Sequence, residues 1–170
     1  MRVLGVDCGS QTTGYGIIDS DGHCHRVVDF GGIRTKRQND FAQKLLSIHE
    51  RLRQLIELHL PQAVAVEDQF YLNNFRSVLK LGEVKGVVLL TAAQAGLPVF
   101  EYSPLEVKSA VTGYGHAAKS QVQVMVRNLL NLNDLPHPHD AADALALAIC
   151  HTLHQATNRR LKSALDPRCK

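Results

Sequence analysis

The sequence has no tryptophan and only 5% aromatic residues, against 45% hydrophobic residues overall. That is the make-up of an ordinary mixed α/β domain with an aliphatic interior. Paired cysteines are missing too. Cys8, Cys24, Cys150 and Cys169 are scattered with no C-x-x-C spacing, so they read as free thiols in a reducing compartment. No run approaches the ~18–20 apolar residues of a membrane span, and the N-terminus lacks the charged-then-apolar pattern of a secretory leader. The expectation is a soluble, cytoplasmic protein without membrane contact. Nor is there a Ser/His/Asp or Cys/His arrangement of the kind that nucleophilic catalysis uses.

A strong charge of either sign is also absent. The formal net charge is +3, and the end of the chain carries it. Residues 157–170 hold Arg159, Arg160, Lys162, Arg168 and Lys170 against Asp166, while residues 1–156 come to −1. A body of that charge binds nucleic acid only through local basic clusters. The length of 170 residues fits one domain, residues 1–156, able to bury a core without disulfides or a structural metal. Residues 157–170 read as a basic, disordered, solvated tail.

What is there begins with MRVLGVDCGSQTTGYG. Val3 to Val6 form a continuous apolar run, the mark of a strand buried on both faces, and Asp7 closes it. A carboxylate at the end of a buried strand is costly to ionise unless a cation or donors meet it. Asp7 is therefore either a metal ligand or a well-satisfied structural acid. Residues 12–20 and 25–34 read as two further strands joined at Ser20-Asp21-Gly22, giving an antiparallel meander. The apolar positions Phe41, Leu45, Ile48, Leu52, Leu55 and Ile56 predict an amphipathic helix from about Asp40 to His59, capped by Asn39 or Asp40. Ala63 to Val66 is a second buried strand, and it too ends in an acid, Glu67.

After the mixed segment FYLNNFR comes a long helix, about Ser77 to Ala95, apolar on most of its circumference. Such a helix needs cover on two sides, and Gly82 and Gly86 flatten one face, which makes it a candidate subunit interface. Val99 to Tyr102 is a fifth strand. Ser103-Pro104-Leu105-Glu106 has capping-box spacing with proline at the first helical position. Further helices are expected from Val122 to Leu130 and from Asp140 to His154. The last opens HDAADALALA, with Asp140 and Asp143 on one face of its first turn.

Asp7, Glu67, Asp140 and Asp143 thus form a set of acids at two strand ends and one helix start. Clustered carboxylates repel unless cations lie between them, and all-oxygen ligands favour Mg²⁺ or Mn²⁺ over zinc. Two such ions would serve in-line hydrolysis of a phosphodiester, with no nucleophilic side chain required. Alternatively, two acids in a first turn merely answer the helix dipole.

VLGVDCGSQTTGYGII, VEDQF…KLGEVKG, YSPLEVKSAVTGYGHAAKSQVQVMV and DAADALALA, in that order over Met1 to about His154, resemble the RuvC family of Holliday-junction resolvases. The resemblance implies an α/β, ribonuclease-H-like fold: a five-stranded mixed sheet with helices on both faces. It also implies a homodimer that resolves four-way DNA junctions by paired nicks with Mg²⁺, two ions per subunit, and a branch-migration motor as partner. By motif position Asp7, Glu67, Asp140 and Asp143 correspond to the family's metal-binding acids. Phe70 falls where the family places an aromatic near the junction core, and Lys108 and Lys119 match basic residues that meet the DNA backbone. Arg76 and Lys80 are added as candidate DNA contacts. The glycines after Asp7 read as a tight hairpin that lets the DNA backbone approach the metals.

Asp68 and Glu83 depart from the family's pattern, standing where glutamine is expected. His139 is an auxiliary base, a ligand, or simply a residue at a helix start. Cys150, His151 and His154 lack a second ligand pair at zinc spacing. One rival reading is an ATP-binding protein of the actin and sugar-kinase type, which needs about twice this length. Another is a junction-binding scaffold without catalysis.

Overall fold

The computed structural model describes the chain apart from residues 10, 36, 37, 39, 69–74 and 166–170. Three strands open it: β1 (Arg2–Asp7), β2 (Thr12–Ser20) and β3 (His25–Arg34). They form the expected antiparallel meander. α1 (Phe41–His59), β4 (Ala63–Glu67), α2 (Phe75–Gln94) and β5 (Val99–Tyr102) follow. The chain then ends in helices α3 (Pro104–Thr112), α4 (Lys119–Leu129) and α5 (His139–Leu165). The sheet has five strands in the order β3-β2-β1-β4-β5, with β1, β4 and β5 mutually parallel. β1 is central, as its unbroken apolar run requires.

Side chains alternate along β1 and divide the interior into two cores. Val3 packs with α3, α4 and α5 through Val107, Val126, Leu145 and Ile149. Leu4 and Val6 point the other way, onto α1 and α2 through Ile48, Leu52, Val84 and Val88. Helices therefore cover both faces.

Local chemistry fixes the helix ends. The Asp40 carboxylate accepts from the Gln43 N–H at 2.8 Å and starts α1. Ser103 and Glu106 form a complete capping box on α3, which Gly113 ends at φ 77°. α4 begins at Lys119, three residues before the first apolar position, so this lysine sits at a helix start. α5 differs most from expectation. It continues through Leu165, so residues 157–165 are helical rather than a disordered tail. Arg, Lys, Leu and Ala are strong helix formers extending a helix already nucleated by packing, and Arg160 Nη2 donates to His23 Nε2 at 2.6 Å.

Among the described residues, only one side of α2 is covered. Val84, Val88 and Ala92 are buried, while Leu79 is 50% and Leu90 57% exposed. Atoms added as Cβ at Gly82 and Gly86 would meet nothing within 4 Å. No described helix is long and apolar enough to cross a membrane.

Candidate active site

β1 and β4 run in parallel with Val6 opposite Val66, so Asp7 and Glu67 emerge side by side at the carboxyl end of the sheet. α5 crosses that end, and glycine lets it come close. A Cβ at Gly14, the β2 partner of Asp7, would stand 2.0 Å from the Asp140 carbonyl oxygen. One at Gly5 would stand 1.9 Å from that of Ala144. Backbone thus lies directly on backbone, and the first turn of α5 is seated against β1 and β2. At Gly14 this corrects the reading of the glycines after Asp7 as an opening for DNA: the space is filled by the chain's own helix.

The seating brings together Asp7, Asp140 and Asp143, each offering a carboxylate oxygen within 4.8 Å of the others. All three are half-buried. Burial, then the charges of Asp143, Glu67 and Asp140, push the Asp7 carboxyl up to about 7, with Lys119 pulling the other way. Glu67 lies to one side of this trio, lining with Asp7 and Asp143 a cavity of about 330 Å³. Lys108 and Lys119 line the same cavity. Lys119 reaches Asp143 at 2.5 Å. Desolvation opposes its charge, but that hydrogen bond and the charges of Asp143, Asp7 and Asp140 hold its ammonium above the ordinary range. The donor set is oxygen only, crowded and mutually repelling, which suits a hard divalent cation.

The match to known proteins decides what kind of chain this is. The family model for crossover junction endodeoxyribonuclease RuvC covers residues 3–151. The chain belongs to the RuvC family. It is 49% identical over 166 residues to the RuvC of Syntrophomonas wolfei, covering 98% of this chain and 94% of the relative. It is 50% identical over 163 residues to that of Koribacter versatilis, with 95% and 98% covered. Thermus thermophilus RuvC in complex with Holliday junction substrate superposes with a TM-score of 0.89 at 36% identity, covering 93% of this chain and 96% of that one. The expected ribonuclease-H-like α/β architecture holds for this RuvC-family chain.

The remaining expected residues are more dispersed. Phe70 lies outside the described residues. Arg76 and Lys80 are exposed on the first turns of α2, where the Lys80 ammonium stands 5.7 Å from the Phe41 ring centroid. The two departures from the family's pattern are accounted for. Lys85 lies 3.2 Å from Asp68 and 2.6 Å from Glu101, so the added carboxylate turns to a lysine rather than to the acidic cluster. Glu83 is exposed on the uncovered side of α2. His151 is structural: its Nδ1 is hydrogen-bonded to the Tyr102 hydroxyl at 2.8 Å, and its ring centroid stands 4.4 Å from that of Phe100. Sequence reasoning missed Lys85 and also Gln123, a buried amide on α4 that meets His139. The only signal for Gln123 was a polar residue between the inward-facing Val122 and Val126.

Proposed function

We propose that this chain is a divalent-metal-dependent endonuclease that resolves four-way DNA junctions by paired, symmetric nicks. The observation that carries the reading is the convergence of Asp7, Asp140 and Asp143 beside Glu67, at an opening lined by two lysines, in a chain of the RuvC family. Asp7, Glu67, Asp140 and Asp143 hold Mg²⁺, with Mn²⁺ as a substitute and two ions per subunit. Bound there, the ions supply an activated water and stabilisation of the leaving oxygen in an in-line displacement. The chain's own residues do the rest. Burial and the neighbouring acids oppose the ionisation of Asp7, a penalty that a bound cation would relieve. Lys108 and Lys119 place ammonium groups where a scissile phosphate enters, and the Lys119 contact with Asp143 keeps that side chain at the cavity mouth. Arg76 and Lys80 extend the basic surface along α2, and Phe70 stacks on a base at the junction core.

Symmetric cutting of two strands calls for two sites related by a two-fold axis. The outward stripe of α2, with Leu79, Gly82, Gly86 and Leu90 at helical spacing, is the surface for a second copy of this chain. Residues 1–156 form the nuclease domain, acting in the cytoplasm with a branch-migration motor. The test is a synthetic four-way junction incubated with Mg²⁺ and either wild type or Asp7→Asn. Symmetric nicks from the wild type alone are expected; tight binding without nicks from either protein would instead make the chain a scaffold.

A further inference from the structure

Gln123 is only 8% exposed, on a helix whose other buried positions are valines. A buried amide is expensive there unless it is hydrogen-bonded. Its partner is the exposed His139, the first residue of α5: Gln123 Nε2 lies 3.0 Å from His139 Nδ1. The His137 ring stands edge-on to it with centroids 6.0 Å apart. On α4, Lys119 and Gln123 are four residues apart; on α5, so are His139 and Asp143. The two helices are therefore joined by two rungs, Lys119 to Asp143 and Gln123 to His139, with Asp140 between them in sequence. The first rung belongs to the acidic site. The second uses a buried group to orient an exposed imidazole beside it.

The chemistry of the second rung follows from which atom donates. The Gln123 amide nitrogen donates, so Nδ1 supplies the lone pair and the ring hydrogen is on Nε2. The exposed edge of His139 is then an N–H donor. A donor suits a phosphate oxygen and has no lone pair for a metal ion. We propose that His139, oriented through Nδ1 by the buried Gln123, donates from Nε2 to a DNA backbone phosphate beside the acidic cluster. Gln123 is a positioning residue; His139 touches the substrate. This rests on the reading of the chain as a junction nuclease.

The test is equilibrium binding of a four-way junction in Ca²⁺ by the full-length protein. His139→Leu is expected to weaken binding about three- to tenfold, the scale of one lost hydrogen bond to a charged acceptor. His139→Gln, whose amide nitrogen takes the place of Nε2, is expected to restore most of it. A neutral donor releases no counterion, so the salt dependence of binding stays unchanged in His139→Leu, whereas Lys108→Met lowers its slope by about one. Gln123→Met is expected to weaken binding less than His139→Leu. In the free protein it should also shift the His139 ¹⁵N resonances away from the Nε2–H tautomer toward a mixture. Wild-type binding alongside unaltered His139→Leu binding would overturn the inference. So would an Nδ1–H tautomer in the wild type, or a His139→Leu effect seen only as a higher Mg²⁺ requirement for cleavage, which would make the ring a ligand. Failure of the wild type to bind would strike instead at the junction-nuclease reading.

Discussion

Replacing Asp7 by asparagine should make the metal-free protein more stable while abolishing cleavage. In an open chain an aspartate titrates at 3.8; in this fold Asp7 is held at about 7 by burial and three neighbouring acids. Between those values the unfolded chain has already released the proton that the folded chain retains, so stability falls as pH rises from 3.8 to 7 and stays low above it. At about 1.36 kcal/mol for each tenfold step, the deficit at pH 8 approaches roughly 4 kcal/mol. Asparagine removes the charge and nearly keeps the shape. Its own buried amide gives back about 1–3 kcal/mol of that gain, leaving about 1–3 kcal/mol. Urea unfolding in EDTA at pH 8 measures this directly. Adding Mg²⁺ should then close most or all of that gap, because a ligand bound only by the folded state at ~100 times its Kd adds ~2.7 kcal/mol to the wild type and far less to the variant. The reasoning fails if Asp7→Asn is no more stable than wild type in EDTA, or if Mg²⁺ raises both midpoints equally.

Other perturbations probe the scaffold. Gly5→Ala places a methyl group where the Ala144 carbonyl of α5 already lies, with backbone on both sides and nothing flexible to yield. It should cost about 3 kcal/mol or more, read by denaturant unfolding, and wild-type stability would show that α5 can lift off the sheet freely. Leu90→Glu charges the uncovered side of α2 and should yield a folded monomer that binds junctions weakly and does not nick them in pairs, checked by sedimentation and cleavage; an intact dimer would refute the interface. Val87 is a poorer choice, because it also packs against the core. His151 is held down at about 4 by burial and by His154. The stability it allows is complete above an ordinary imidazole's 6.5 and drains as pH falls from 6.5 toward 4, by roughly 3 kcal/mol. His151→Leu should flatten the urea midpoint against pH in that window, and an unchanged slope would rule this out.

Much of this was legible in the sequence because the signals were local. The apolar runs ending in Asp7 and Glu67 made buried strands wherever their partners lay, and the capping box at Ser103 announced α3 without tertiary help. Asp140 and Asp143 were marked by their spacing. The role of Gly14 was hidden, since what fills the space above it is the carbonyl of a residue far along the chain. Asp68 looked like a disturbance of the acidic cluster because its neutralising partner, Lys85, lies on a different element. The continuation of α5 was obscured by reading basic composition as disorder, when those residues also sustain a helix already begun.

The backbone contacts at Gly5 and Gly14 leave no side-chain layer between α5 and the central strands at the acidic end. The separation of Asp7 from Asp140 is therefore set by main-chain van der Waals radii, which no substitution elsewhere alters. Either core can exchange leucine for isoleucine or valine for alanine, and thin or swell a little, without moving the carboxylates apart. Sequence drift in the bulk of the protein and the tolerance of its chemistry are thereby uncoupled, so two chains with quite different interiors can share one set of carboxylate spacings.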